Sequence, residues 1–183
     1  MKNLILFSFL LPFYVQAALV VSGSGIREKK VAFLSVNVYK LTNLLPSEIK
    51  IDKAHPMEAI ERASNKVLKL NFLRDVDGEK IENSFKESLK NNQVELLTPQ
   101  IVKTLAALRV DVKEGQTLTL TGEKRAGNLE RLTIEGPGGK SSIEGPKLAT
   151  QLWSIWYGNT EEDSKLTQLK EQLLSGANSP NSL

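Results

Sequence analysis

The hydrophobic period of this chain changes twice, and those changes limit its fold more than any single motif does. From Lys66 to Leu73 the residues alternate, with Leu68, Leu70 and Phe72 on one face and Lys69 and Asn71 on the other, which predicts a half-buried strand. From Glu79 to Asn91 the spacing lengthens: Ile81, Phe85 and Leu89 lie four apart on one helical stripe. A second helix is expected over Pro99–Leu108, with Thr98 as N-cap, Pro99 in the first turn, and Ile101, Val102, Leu105 and Leu108 in the helical period. At Gln116 the period drops back to two. The run T-L-T-L-T to Gly122, then Leu129–Glu135 and Lys140–Ile143, reads as three strands. Ala126-Gly127-Asn128 and Gly136-Pro137-Gly138-Gly139 separate them as turns, so the expectation is an antiparallel meander. A run of strands followed by helices implies an α+β domain with the helices packed on one face of an antiparallel sheet.

The segments on either side extend this scheme. Asn43–His55 reads as a loop with one short edge strand around Ile49–Ile51, and Pro56 opens a short helix through Ala63. Pro146 is expected to start a helix bearing Leu148, Leu152, Ile155 and Trp156, ended by Gly158. Thr160 with Asp163 three residues on has the form of a capping box for a last helix, whose buried stripe is Leu166, Leu169 and Leu173. Residues 176–183 are rich in Gly, Ser, Asn and Pro and read as a disordered tail. Residues 1–17 have the three parts of a secretory signal: Lys2, the apolar run Leu4–Val15, and Val15-Gln16-Ala17 before cleavage. That apolar run is short for the ~20 residues of a membrane span and contains Pro12. The expectation is a periplasmic or secreted protein, one domain over residues 18–175, with no stable span after cleavage.

Composition removes several kinds of chemistry. There is no cysteine, so neither a disulfide framework nor thiol chemistry is available. His55 is the only histidine and has no partner in sequence, and no zinc or EF-hand spacing occurs. Glu79, Glu82, Glu87 and the run Glu161-Glu162-Asp163 read as solvated helix faces. The Gly136 turn lacks the Lys-Ser/Thr that a phosphate-binding loop needs. Net charge is +3 with both signs interleaved, which does not suit nucleic acid. No cofactor is expected.

The stretch Gly23–Leu41 carries the strongest hint of a site. Gly23 and Gly25 allow close backbone approach, Arg27 follows, and Glu28-Lys29-Lys30 reads as a hairpin tip or strand edge. Val31–Leu41 is apolar on both faces, as in a strand covered on both sides, with Asn37 read as a buried amide or an exit from the core. If Arg27 lies in the strand it faces either water at the sheet edge or the interior, where a permanent guanidinium needs an anion. Trp153, Trp156 and Tyr157 form an aromatic cluster, either core packing or a pocket wall.

Gly23-x-Gly25-x-Arg27 followed by a strand with Val38-Tyr39 resembles the first hairpin of chalcone isomerase-like proteins. Leu70–Val76 before the helix from Glu79, and Ile155-Trp156-Tyr157-Gly158-Asn159 before Leu166–Leu174, resemble the small secreted bacterial branch of that family. The resemblance implies an open-faced antiparallel sheet with helices on one face. In the plant isomerases of the family, Arg27 matches the catalytic arginine. Their threonine on the next strand falls on Leu34, their mid-chain tyrosine has no counterpart between Tyr39 and Tyr157, and their asparagine has no secure match near Asn83 and Ser84. The missing hydroxyls argue against the isomerase reaction. The non-catalytic branch includes fatty-acid-binding proteins, in which the arginine and a tyrosine hydroxyl fix a carboxylate. The resemblance therefore implies a pocket for a fatty acid or similar amphipathic carboxylate, with Arg27, Leu34, Tyr39 and Trp156 as candidate ligand contacts. As the ligand's counter-ion, Arg27 is expected to face the interior without a carboxylate partner of its own. A chalcone isomerase-type enzyme and an interaction module with a closed pocket are the alternatives.

Overall fold

Each alternating segment becomes a strand of one sheet. The computed structural model describes residues 18–176; the expected signal segment, 1–17, and the expected tail beyond Gly176 lie outside the described residues. In chain order the elements are β1 (Leu19–Val31), β2 (Leu34–Pro46), α1 (Pro56–Arg62), β3 (Asn65–Phe72), α2 (Gly78–Asn91), α3 (Pro99–Leu108), β4 (Thr117–Lys124), β5 (Leu129–Gly136), β6 (Gly139–Pro146), α4 (Leu148–Tyr157) and α5 (Ser164–Gly176). The strands are neighbours in sequence order from β1 to β6 and every pair is antiparallel. One face bears Leu41, Leu45, Leu68, Leu70, Phe72, Leu118, Leu120, Leu132 and Ile134, all buried under helices. The other carries Lys69, Asn71, Thr119, Thr121 and Thr133 and stays partly or fully open to solvent. This is the expected α+β, open-faced arrangement.

The helix in the middle of the helical layer is α4. All its residues except Gln151 are buried, including Trp153 and Trp156, because sheet, α1, α2 and α5 surround it. Its N-terminus has no cap of its own: Lys147 sits at φ 48° and makes no side-chain cap bond. Glu130 of β5 supplies the acceptor instead. Its Oε2 accepts the Thr150 N–H at 2.7 Å and its Oε1 accepts the Thr150 hydroxyl at 2.8 Å, so a carboxylate meets the positive end of the helix. The Lys66 ammonium donates to the same Oε1 at 2.7 Å, to Thr150 Oγ1 at 3.1 Å and to the Ile60 carbonyl at 3.2 Å. Lys66 and Glu130 side chains are 1% and 4% exposed. Gly122 lets them meet: a Cβ there would lie 2.6 Å from Ala149 Cβ and 3.1 Å from the Lys66 chain.

The N-terminal hairpin differs in part from expectation. Glu28-Lys29-Lys30 takes the second of its two expected places, in the edge strand β1 rather than at the tip; β1 continues to Val31 and the chain turns at Ala32-Phe33, with Ala32 at φ 54°. The strand that follows is not covered on both sides. Leu34 and Asn37 are exposed, because the tip projects past the helices, and coverage begins near Tyr39. That strand also runs on through Asn43, expected in a loop, to Pro46, and there is no strand at Ile49–Ile51. Asn43 is buried as a polar node, accepting from Trp153 Nε1 at 3.0 Å and donating to Ser22 Oγ at 2.7 Å. Pro146 ends β6 rather than opening α4, and α5 begins at Ser164, with Asp163, not Thr160, as the residue whose carboxylate receives its first N–H groups. That helix extends through Gly176, beyond the predicted start of the tail.

β1 packs against α5 backbone to backbone. A Cβ on Gly23 would stand 2.3 Å from the Leu173 carbonyl oxygen, a group that cannot swing away. Gly23→Ala should therefore destabilise the fold by about 1–3 kcal/mol through overpacking. Urea unfolding followed by circular dichroism would measure it, and an unchanged midpoint would refute the tight β1–α5 seam.

Candidate ligand cleft

Strand register, not sequence proximity, assembles the site. Arg27 of β1 pairs directly with Tyr39 of β2, and Tyr39 pairs with Phe72 of β3, so the three side chains form a row on the helix-covered face. Past this row the register skips Val38, and Val36 joins Tyr39 in facing a cleft. The cleft opens between this end of the sheet and helices α2 and α4 and has a volume of about 500 Å³. Its apolar walls are Tyr39, Phe72, Ile81, Phe85, Ile155 and Trp156. The rings fix one another: Tyr39 and Phe72 centroids lie 5.7 Å apart, and Phe85 meets Trp156 edge-on at 5.6 Å.

At the polar end sit Arg27 and Tyr39. Trp156 Nε1 donates to Tyr39 Oη at 3.1 Å, and no acceptor among the described residues takes the tyrosine's own proton. Burial raises the Tyr39 pKa above 10, while the Arg27 charge and the Trp156 bond pull the other way without overcoming it. Tyr39 therefore keeps its proton and has one O–H left to donate. Beside it the Arg27 guanidinium has five N–H donors in a fork suited to a carboxylate.

One edge of that fork is already taken. Arg27 Nη1 donates to Asp163 Oδ1 at 3.1 Å and Nη2 to Asp163 Oδ2, so the expected absence of a carboxylate partner is overturned. The reason is that α5 begins beside β1: Asp163 caps the helix, with Oδ1 receiving the Lys165 and Leu166 N–H groups at 3.0 Å, and its carboxylate extends to the arginine. Burial pushes the Asp163 carboxyl upward, but Arg27 and the two N–H bonds outweigh it and leave its pKa below the ordinary 3.8. The Arg27 side chain is only 15% exposed, so it faces inward as expected, but paired.

Of the four candidate contacts, Arg27, Tyr39 and Trp156 all line the cleft. Leu34 does not: it is 71% exposed at the hairpin tip, paired with Val31 and outside the cleft wall. Ser84 of α2 lines the cleft and Asn83 does not. Asp163 was missed because its acidic run reads as solvated; the signal available was its place at the start of a helix predicted to follow.

The comparisons agree with this architecture. No curated protein sequence matches the chain. Among solved structures, a fatty-acid-binding protein of Arabidopsis thaliana superposes with a TM-score of 0.64 over 91% of this chain and 92% of that one, at 16% identity, a likeness of fold. The chalcone isomerase-like family model matches residues 14–175. With the six-stranded meander, the buried α4 and the Gly-x-Gly-x-Arg hairpin, that match places the chain in the chalcone isomerase-like family.

Proposed function

We propose that the protein binds a fatty acid or similar amphipathic carboxylate in the cleft, without transforming it. The observation that carries this reading is the Arg27–Tyr39 pair, brought together by strand register at the polar end of an apolar cleft whose volume falls within the ordinary range for small-molecule sites. In this reading the ligand's carboxylate exchanges with Asp163 on the guanidinium and accepts a hydrogen bond from the Tyr39 hydroxyl, while its chain lies against Phe72, Phe85 and Trp156. A charge-assisted hydrogen bond contributes ~1.5–3 kcal/mol, and each buried methylene ~0.8 kcal/mol. The chain therefore supplies most of the affinity and the arginine its orientation. A fatty-acid-binding protein of the same fold supports the reading. Among the described residues no cluster of side chains could hold a metal ion, and no described helix is long and apolar enough to cross a membrane.

Mass spectrometry of protein purified without delipidation should find a bound long-chain carboxylate. In a titration with oleate, Arg27→Leu should weaken binding by at least about tenfold, the low end of one charge-assisted bond. The variant should stay folded, since the pair it breaks is partly solvated and worth ~1 kcal/mol or less. Unaltered oleate affinity in a folded variant would sink the reading.

We also propose that the protein is exported and loses residues 1–17. N-terminal sequencing of material recovered outside the cytoplasm should begin at Ala18, or one residue later; an intact Met1 on exported protein would point to an anchor instead.

A further inference from the structure

On the far side of the Arg27–Asp163 pair lies a second cleft of about 490 Å³, set between the β1 end, the C-terminal half of α2 and the start of α5. The two clefts share Arg27, Lys29, Glu87, Ser88, Asp163 and Leu166, so they adjoin at the ion pair. Their linings differ. The first combines an aromatic and aliphatic wall with a charged rim that includes Arg74, Asp75 and Lys80, whereas the second contains Leu166 as its sole apolar side chain.

Charge in the second cleft is unbalanced. Five cations line it against three carboxylates. Arg27 is taken by Asp163 and Lys165 by Glu28, which lies outside the lining. Lys29, Lys30 and Lys90 have no carboxylate within ion-pair distance among the described residues, and the lining carboxylates Glu87 and Glu162 have no cation, which leaves three unpaired positive charges against two negative. A simple fatty acid needs one counter-ion and finds it at Arg27, so it leaves these three ammonium groups unused. A phosphomonoester carries about −1.5 to −2 charges at neutral pH, with three acceptor oxygens, and lysine serves phosphate as a point charge without bidentate geometry. We propose that the second cleft receives a phosphate-bearing headgroup, so that the preferred ligand is a single-chain phospholipid whose tail occupies the apolar cleft. This inference rests on the lipid-binding reading above and extends it from the tail to the head.

The test uses the full chain with three probes: oleate, 1-oleoyl-glycerol 3-phosphate, and inorganic phosphate. The expected result is that the oleoyl phosphate binds at least about tenfold tighter than oleate: its acyl ester gives up the carboxylate's contact with Arg27, but its phosphate makes at least two charge-assisted contacts with the lysines, a net of one, and this advantage shrinks as salt rises. In the double variant Lys30→Gln/Lys90→Gln, whose positions line only the second cleft, the advantage should disappear while oleate affinity stays unchanged. Equal affinity for the two lipids, or a double variant that weakens both alike, overturns the headgroup site and leaves carboxylate binding standing. If inorganic phosphate alone binds as tightly as the oleoyl phosphate, the cleft is a free-phosphate site and the lipid headgroup is overturned. Binding of neither lipid overturns both readings together.

Discussion

Glu130→Gln should cost about 3–5 kcal/mol of folding stability, the largest effect expected of any single polar substitution in this chain, because it leaves a buried ammonium without its counter-charge. Lys66 is 1% exposed and spends its three donors on Glu130, Thr150 and the Ile60 carbonyl. The amide would keep the shape of the side chain but not its charge, and it would offer one oxygen where the carboxylate offers two. The α4 N-terminus would lose its only acidic partner among the described residues as well. Replacing both residues at once, Lys66→Met with Glu130→Leu, should recover most of the loss, since apolar groups of similar volume often replace a buried pair at little cost. Urea denaturation of the three variants would decide: a loss below about 1 kcal/mol in Glu130→Gln would mean the pair is solvated and unimportant. The same pair sets an acid limb. Burial pushes the Glu130 carboxyl up, but Lys66 and the two Thr150 bonds together outweigh it, so its pKa lies below the ordinary 4.5. A depressed carboxyl contributes stability that is present above the unfolded value and lost as pH falls through the folded one. The contribution should therefore be complete above about pH 4.5–5 and fade below it, and Glu130→Gln should lack that part of the acid transition.

The periodic parts of the fold were legible because burial on one face imposes its period on the sequence. β3, α2, α3 and the β4–β6 meander fall within a few residues of where alternation and helical spacing put them. What alternation also contained, though it was harder to see, was the Lys66–Glu130 pair. Lys66 is in phase with Leu68, Leu70 and Phe72, and Glu130 with Leu132 and Ile134, so each charge stands on an apolar face. A lysine at the first position of a strand looks like an exposed end, and only the glycine at position 122 lets it cross to its partner. The first hairpin was misread for a different reason. Apolar residues on both faces of Val31–Leu41 suggested double coverage, yet Phe33 and Leu34 project into solvent beyond the helical layer. The cleft was legible as residue types but not as an arrangement. Arg27 and Tyr39 are twelve positions apart, and only the hairpin's turn at Ala32-Phe33 and its bulge at Val38 set them side by side. Asp163 comes from the other end of the chain, so its contact with Arg27 depends on where α5 docks, which no local pattern records.

Asp163→Asn should raise affinity for oleate by about tenfold or more, the reverse of Arg27→Leu, because it removes the chain's own carboxylate from the arginine proposed to hold the ligand. Asp163 holds the Nη1–Nη2 edge of the guanidinium, one of the edges a carboxylate could use. A ligand carboxylate that takes this edge first displaces Asp163, which subtracts from the gain at Arg27 without cancelling it, while the acyl chain contributes the rest. Asparagine keeps the second duty of the position, since it is as good an N-cap as aspartate, and its oxygen can still receive the Lys165 and Leu166 N–H groups. The α5 start and its seam with β1 should survive, so the variant separates competition from structure. Acidification to about pH 5 should not imitate it, because the Asp163 pKa lies below 3.8 and the carboxylate stays ionised there. If Arg27 served only to anchor α5, Asp163→Asn would lower the unfolding midpoint and leave oleate affinity where it was. Isothermal titration with oleate beside a urea melt of the same preparation distinguishes the two. A raised affinity with an unmoved midpoint identifies Asp163 as an internal occupant of the carboxylate site, held in place until a ligand displaces it.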